Sequence, residues 1–269
     1  MLTDYHTHSY RCGHATGEMR EYIEAAIARG IDEIGLTDHL WLYFEAPERR
    51  NKTWAMAESE YAQHYNEMRE LRDEYAGRIT VRVSVEADYI EGREADLLDI
   101  LARFDFDYVL GSVHFLDGWL IDDPATADRY HHERVAEIYR RYYARLRQAI
   151  ALGCFDLLAH FDLPKKFGFL PEEDVADAVA ETLDAVAHQG IAIEISSAGL
   201  RKPIGEIYPS RAILREMRKR NIPIALSSDA HAPEEIGANY GELIDFARSE
   251  GYEEVATFSR RSRTMAKIG

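Results

Sequence analysis

The chain has few cysteines and a shortage of positive charge. Cys12 and Cys154 are its only cysteines, which excludes a fold built on disulfides and fits a reducing compartment. Lys and Arg together number 32 against 48 Asp and Glu, so the formal net charge is −16. Proteins that hold a nucleic-acid backbone or an anionic membrane surface depend on clustered basic residues. The charge balance therefore argues against both kinds of partner.

Long apolar runs and a secretory leader are also missing. No stretch approaches the roughly 20 apolar residues that cross a bilayer, and Met1 leads directly into the polar segment TDYHTHS. No linker rich in Pro, Gly or Ser divides the chain. We therefore expect a cytoplasmic protein with one domain that spans residues 1–269.

Short runs of β-type residues alternate with longer stretches of helical period. The predicted strands are Leu2–His6, Glu33–Thr37, Thr80–Glu86, Tyr108–Val113, Phe155–Ala159, Ala192–Ser196 and Pro223–Ser228. The predicted helices are Glu18–Ala28, Glu60–Tyr75, Glu94–Phe104, His132–Ala151, Glu173–His188, Ser210–Lys219 and Gly241–Ser249. Apolar strands that alternate with helices predict a parallel sheet buried on both faces. Seven such units favour a closed or nearly closed α/β barrel over an open doubly wound sheet.

Two further segments lie outside this alternation. Leu40–Ser59 is the longest irregular stretch and contains Trp41 and Trp54, so it is either a flap that faces the substrate or a packed insertion. Glu253–Phe258 is either an eighth strand or a surface tail.

Residues with metal-binding side chains follow the C-terminal ends of the predicted strands. His6 and His8 are two residues apart and therefore share one face of a strand. The whole set comprises His6, His8, His14, His39, Glu86, His114, His160, Asp229 and His231. Strand C-termini of a βα barrel meet at one mouth, where active sites are built. Because a structural zinc ion takes only four ligands, the set predicts several divalent ions in one pocket.

Other candidate ligands fit this pattern less well. Four histidines fall within or beside predicted helices and are expected to be solvated or capping residues: His64, His131, His132 and His188. Cys12 is a weaker candidate ligand because the imidazole and carboxylate set is complete without it. Asp38, immediately before His39, is either an acid that orients a metal ligand or a strand cap.

The order of these motifs resembles a known family. His-x-His, a further His, TDH, a strand-end Glu, GSVH, AHFD and SDAH together resemble the polymerase and histidinol phosphatase (PHP) superfamily. The segments GSVHFLDGW, LPKKFG and SSAGLRKPIGEIYPS resemble its histidinol-phosphate phosphatase branch. SSAGL departs from the family pattern, which has an Asn-Thr type pair before the Ser/Ala-Gly. The resemblance implies a distorted (β/α)7 TIM-like barrel with a trinuclear metal centre.

The resemblance also implies how the ligands are divided. His6, His8, Glu86 and Asp229 would hold the first ion, and Glu86 would bridge to a second ion. The second ion would be completed by His114 and His160, and the third would be held by His14, His39 and His231. The ions would be zinc, iron and/or manganese, which imidazole and carboxylate sets accept.

The implied activity is hydrolysis of a small phosphomonoester, L-histidinol phosphate, to L-histidinol and phosphate in histidine biosynthesis. We expect a hydroxide that bridges two ions to attack phosphorus in line. Arg201 is expected to offer its planar fork to the phosphate, and Asp229 or His231 to protonate the leaving alkoxide. Lys202 is a weaker candidate for the phosphate contact, and the sequence favours a solvated surface position for it. Lys165 or Lys166 lies either at the rim of the mouth or in a solvated loop.

Three other functions stay open. A PHP-type phosphoesterase could act on nucleotides, oligonucleotide ends or phosphotyrosine, although the acidic balance disfavours a long nucleic acid. A non-catalytic metal-binding module is disfavoured by the complete ligand set and by the lack of an attached second domain. An amidohydrolase, in which activated water attacks a carbonyl carbon, would typically have a carboxylated lysine or another strand pattern.

Overall fold

Parallel strands form the centre of the molecule, and the computed structural model describes all 269 residues. The strands are β1 (Thr3–Asp4), β2 (Glu33–Leu36), β3 (Thr80–Asp88), β4 (Tyr108–Ser112), β5 (Phe115–Leu116), β6 (Trp119–Leu120), β7 (Leu157–Leu158), β8 (Ala192–Ser196), β9 (Ile224–Ser227), β10 (Glu254–Ser259) and β11 (Ser262–Lys267). Seven of them form one sheet in the order β1-β2-β3-β4-β7-β8-β9, and every pairing in it is parallel.

The first and last strands of this sheet meet, so the sheet curls into a nearly closed barrel. The amide of Tyr5 donates to the carbonyl of Leu226 at 3.1 Å, and the amide of His8 donates to the carbonyl of Ala230 at 2.8 Å. Each strand except the last leads into a helix that crosses to the next strand, as parallel pairing requires. The predicted seven-unit barrel is confirmed.

The helices surround the barrel and all seven were predicted. They are α1 (Met19–Ala28), α2 (Glu58–Glu74), α3 (Glu94–Leu101), α4 (Val135–Leu152), α5 (Ala176–Gln189), α6 (Arg211–Lys219) and α7 (Tyr240–Ser249). Predicted bounds differ from these mainly at helix starts; α4, for example, begins at Val135 because a 3-10 turn occupies Pro124–His131 before it. None of the helices combines the length and apolar character that crossing a membrane requires.

The segment Glu253–Phe258 is a strand and not a surface tail, but it does not join the barrel sheet. It forms β10, which pairs antiparallel with β11 in a hairpin separate from the barrel sheet. The Phe258 ring lies 5.8 Å from that of Tyr5 and 5.3 Å from that of Tyr108, inside the barrel. The amide of Arg261 donates to the carbonyl of Asp107, just before β4. The hairpin therefore covers the N-terminal end of the barrel.

Large and small side chains alternate inside the barrel so that the interior is filled. Tyr108 donates from Oη to the carbonyl of Tyr5 at 2.7 Å. A Cβ atom on Gly35 would lie 1.8 Å from that Oη, so this position of β2 requires glycine. Because the interior is packed, the open space of the barrel is at its other end, where the strands finish.

Replacing Phe258 with alanine should lower the free energy of unfolding by about 3–5 kcal/mol, because the ring is buried and its loss leaves a cavity. Urea unfolding followed by circular dichroism measures the change. Met265 on β11 of the same hairpin is 42% exposed, and its replacement with alanine should cost less than about 0.5 kcal/mol. Equal effects of the two substitutions would show that the hairpin does not stabilise the barrel.

Candidate metal centre

Glu86 lies at the centre of the barrel mouth and is 1% exposed. Its Oε2 lies 3.1 Å from Nε2 of His6, 3.3 Å from Nε2 of His8 and 3.1 Å from Nδ1 of His39. Strand β3 extends two residues beyond Glu86, which anchors the carboxylate in a continuous ladder with β4. The carboxylate therefore has a fixed direction toward the histidines.

The other oxygen of Glu86 faces a different pair of histidines. Oε1 lies 3.4 Å from Nε2 of His160 and 3.7 Å from Nε2 of His114. These histidines follow β7 and β4, while His6 and His8 follow β1. One carboxylate thus joins residues from both sides of the barrel mouth.

Asp229 and the remaining histidines complete the group. Asp229 Oδ1 lies 3.5 Å from His6 Nε2 and 3.4 Å from His8 Nε2. The ring of His231 stacks 4.5 Å from that of His8, and the ring of His14 lies 5.0 Å from that of His231. The structure therefore brings all nine predicted residues together at one site.

The donor atoms of this cluster fit metal ions. His6 Nε2 and both oxygens of Glu86 are buried without a hydrogen-bond partner, although buried polar atoms are normally paired. Four groups of three ligand atoms lie within 4.8 Å of one another: His6, His8 and Glu86; His8, Asp229 and His231; His39, Glu86 and His114; and His8, Cys12 and His39. Nitrogen and carboxylate donors at such distances suit divalent cations.

The charges of the cluster also suit a cation. Burial opposes ionisation of Glu86, but the neighbouring His6, His39 and His114 outweigh it and hold the pKa of Glu86 well below its usual range. Burial holds the pKa of His39 and of His231 well below the usual value, whereas at His6, His8 and His114 the neighbouring carboxylates outweigh burial and raise the pKa. A bound cation would displace the protons of these three. Ionised carboxylates and neutral imidazoles are the protonation states that bind metals.

A buried acid on β8 orients His6, and the sequence analysis missed it. Glu194 Oε2 accepts from His6 Nδ1 at 2.9 Å, which turns Nε2 toward the cluster. Glu194 also accepts from the amide of His160 at 2.7 Å and from Ser227 Oγ at 2.8 Å. The available sequence signal was that Glu194 is the one charged residue in the predicted strand AIEIS.

A second acid missed from the sequence orients His114. Asp88 Oδ1 accepts from His114 Nδ1 at 2.8 Å and from its amide at 3.1 Å. Asp88 follows Glu86 by two residues on β3, so both side chains leave the same face of the strand. That spacing could have identified it.

Cys12 lies behind His8, where it joins an acid to the histidine. Its Sγ donates to Asp38 Oδ1 at 2.8 Å and lies 3.3 Å from His8 Nδ1. Burial raises the pKa of the Cys12 thiol well above its usual value, which keeps it protonated. Asp38 also accepts from the amide and hydroxyl of Ser9 at 2.7 and 2.8 Å. Asp38 thus supports His8 through Cys12 and also holds the backbone just beyond β1, at Ser9.

The expectation that His64 is solvated or capping is wrong. His64 is fully buried, and its Nε2 lies 3.3 Å from Asp38 Oδ2. The helical period of α2 places it on the buried face with Tyr61, Tyr65 and Met68. The other three histidines outside the set are exposed, as expected: His131, His132 and His188.

Two adjoining cavities open at this site. The ester cavity, of about 240 Å³, lies over the cluster and is lined by His8, His14, His39, Glu86, His114, Asp122, His160, Leu163, Lys166, Lys202, Tyr208, Asp229 and His231. The side cavity, of about 220 Å³, is lined by His14, His39, Leu40, Leu42, Trp54, Asp88, His114, Phe115, Leu120, Asp122, Asp123, Pro124 and Lys166. The Leu40–Ser59 segment contributes Leu42 and Trp54 to this wall, while its Trp41 packs on Tyr61 at 5.2 Å. The segment is therefore both a cavity wall and a packed insertion.

Of the four basic residues that the sequence offered for the site, two line the ester cavity and two do not. Lys166 and Lys202 line the ester cavity, whereas Lys165 is buried and pairs with Asp162 at 3.0 Å. Lys202 is therefore not the solvated surface residue that the sequence favoured. Arg201 lines neither cavity. Its Nη2 donates to the carbonyl of Ser228 at 2.8 Å, and its Nε donates to Glu235 at 3.1 Å.

Comparison with known proteins agrees with this geometry. Residues 4–198 match the family model of the PHP domain. The chain belongs to the PHP domain family. It is 39% identical to a probable histidinol-phosphatase of Deinococcus radiodurans over 97% of each chain. It is 28% identical to the histidinol-phosphatase of Bacillus subtilis, covering 90% of this chain and 98% of the relative. The family resemblance predicted from the motifs is confirmed.

Solved structures share the fold over most of the chain. A putative histidinol phosphatase from Listeria monocytogenes is 26% identical with a TM-score of 0.79, covering 89% of this PHP chain and 99% of the other. A histidinol phosphate phosphatase from Lactococcus lactis, complexed with zinc, L-histidinol and phosphate, is 22% identical with a TM-score of 0.82 over 98% of each chain. The fold of this chain is therefore shared with both proteins over most of its length.

Replacing Asp38 with asparagine should lower the free energy of unfolding by about 2–4 kcal/mol, because an amide group would face the donors of Ser9 and Cys12. Urea unfolding of chelator-treated protein measures this cost without a contribution from bound metal. Asp245→Asn on the exposed face of α7 is the matched control and should change stability by less than about 0.5 kcal/mol. A cost for Asp38→Asn no greater than the control's would contradict the role of Asp38.

Proposed function

We propose that this chain is a histidinol-phosphatase, which hydrolyses L-histidinol phosphate to L-histidinol and phosphate. The observation that carries the proposal is the nine-residue cluster around Glu86 at the mouth of a PHP barrel. The 39% identity with the probable histidinol-phosphatase of Deinococcus radiodurans, over nearly the whole length of both chains, supports this activity within the family.

The cluster is proposed to hold three divalent ions. The two oxygens of Glu86 face different histidines, which is the arrangement that a bridging carboxylate needs. We assign the ligands as the family resemblance implies: His6, His8, Glu86 and Asp229; Glu86, His114 and His160; and His14, His39 and His231. His39 is assigned to the third ion, yet its Nδ1 lies as near to Glu86 Oε2 as Nε2 of His6 does, at 3.1 Å. Among the ligands of the third ion, His39 is therefore the one next to the ions that Glu86 holds. Zinc, iron and manganese all suit these donors.

When bound, the ions activate water for attack and neutralise charge on the phosphoryl oxygens. Lys166 and Lys202 line the ester cavity and provide positive charge for the phosphate group. Asp229 and His231 also line it, and an ionised Asp229 is placed to accept a proton from the attacking water and pass it to the leaving alkoxide. The proposed role of the protein is to hold these groups in fixed positions around one phosphoester.

A phosphate-release screen on purified protein of known metal content tests the proposed substrate. The screen compares kcat/KM for histidinol phosphate, nucleoside monophosphates, short oligonucleotides and phosphotyrosine. We expect histidinol phosphate to exceed the others by about 100-fold, because a site built to bind the polar groups of one substrate rejects analogues that lack them. A higher kcat/KM with a nucleotide or phosphotyrosine would contradict the proposal and would identify the chain as another phosphoesterase of the family.

Replacing Glu86 with glutamine should remove bound metal and lower kcat by about 1,000-fold or more, because an amide cannot bridge two cations. Metal analysis and steady-state kinetics measure both effects, and circular dichroism reports the fold. The exposed Glu242→Gln is the matched control and should retain metal and turnover. Full metal occupancy with normal turnover in Glu86→Gln would refute the bridging role.

Arg201 and Lys202 are distinguished by comparing their alanine variants. The contacts of Arg201 hold the loop of Asp229, so Arg201→Ala should reduce bound metal. Lys202 lines the cavity, so Lys202→Ala should raise KM by about tenfold while metal content stays intact. A raised KM with normal metal content in Arg201→Ala would instead support the direct phosphate contact predicted from the sequence.

A further inference from the structure

The side cavity has three acids in its wall, Asp88, Asp122 and Asp123, and only Asp122 also lines the ester cavity. Asp88 is occupied by His114 at 2.8 Å, and Asp123 accepts from the amide of Ala125 at 2.8 Å. Asp122 accepts through Oδ2 from Lys166 at 2.9 Å, while its Oδ1 accepts no hydrogen bond from the protein. Asp122 therefore offers a free carboxylate oxygen to a molecule that occupies both cavities.

Asp122 also lies where the two cavities join. It lines both of them, as do Lys166 and the histidines His14, His39 and His114. Its side chain is 22% exposed, so its charge is only partly hydrated and interacts strongly with an opposite charge. A molecule with its phosphate over the cluster would bring its neighbouring atoms against Asp122.

The carboxylate of Asp122 stays ionised over the ordinary pH range. Burial opposes ionisation, but Lys166 and His114 outweigh it and lower the pKa of Asp122 to about 2. Lys166 donates to both the side chain and the carbonyl of Asp122. The junction therefore presents a positive and a negative group side by side, which matches a ligand that carries an anion and a cation on adjacent carbons.

Beyond this junction the wall is apolar and aromatic. Trp54 and Phe115 lie with their ring centroids 6.4 Å apart, and Leu40, Leu42 and Leu120 continue the surface. A volume of about 220 Å³ accommodates a five-membered ring and its methylene group. Flat rings pack well against aromatic side chains.

We infer that Asp122 binds the ammonium group of the substrate and that the side cavity selects phosphate esters of 2-amino alcohols that carry a flat ring. L-Histidinol phosphate has an ammonium group on the carbon next to its ester methylene and an imidazole beyond it. The inference rests on the proposed function and deepens it by naming the residue that recognises the amine. A charge-assisted hydrogen bond is the contact expected there.

The test compares two esters on one variant. For each protein, kcat/KM is measured with histidinol phosphate and with its deamino analogue, 3-(imidazol-4-yl)propyl phosphate. In Asp122→Asn the ratio of the two efficiencies should fall by about 100-fold, because the amide removes the charge that recognises the ammonium group. Asp245→Asn, on the exposed face of α7 and outside both cavities, is the control and should keep the wild-type ratio within about threefold. An unchanged ratio in Asp122→Asn overturns the inference.

A second measurement uses only the wild-type protein and does not depend on the folding of a variant. Inhibition by histidinol is compared with inhibition by its deamino analogue, and histidinol should bind about tenfold more tightly or better. Equal inhibition constants overturn the ammonium site. If the wild type hydrolyses histidinol phosphate best but both tests fail, only the role of Asp122 falls. If another ester is preferred, the proposed function itself falls.

Discussion

The buried carboxylate of Glu86 is the constraint on which the rest of the site depends. It is 1% exposed, and neither of its oxygens accepts a hydrogen bond. Removing such a charge from water costs several kcal/mol unless opposite charge lies beside it. The five imidazole nitrogens within 3.7 Å of its oxygens cannot all be protonated, because they repel one another. Divalent cations satisfy the carboxylate and the nitrogens together, and this is the strongest physical argument for the proposed metal centre.

The buried site accounts for part of the excess of acidic residues in the chain. Buried acids stand behind individual ligands: Glu194 behind His6, Asp88 behind His114, and Asp38 behind His8 through Cys12. Part of the net charge of −16 therefore lies inside the barrel mouth. These acids keep the ligand histidines in single orientations and add negative charge around the proposed cations. A neutral replacement for any of them would weaken both effects.

The barrel and its nine mouth residues could be predicted because both follow from local patterns. Most of the ligands lie at or just past the end of an apolar strand, and parallel strands bring such positions to one edge. The orienting residues depend on distant contacts and could not be predicted in the same way. Glu194 meets His6 across 188 positions of sequence, and His64 gains its place from the burial of one face of α2. Arg201 and Lys202 are adjacent in sequence, but Arg201 contacts the carbonyl of Ser228 whereas Lys202 lines the ester cavity. This difference depends on the path of the loop and could not be predicted from the sequence.

Core packing, metal binding and substrate selection are assigned to different parts of the molecule. The C-terminal hairpin fills the N-terminal end with Phe258 and makes no contribution to the walls of either cavity. The ligands of the proposed metals lie at the strand ends, whose positions are fixed by the sheet. Asp122, Trp54 and Phe115, by contrast, lie on segments after β2 and β4 that are not part of the barrel ladder. Substrate choice can therefore change through these segments while the phosphoester chemistry stays the same, which explains physically how one metal-binding barrel can serve phosphatases of different specificity.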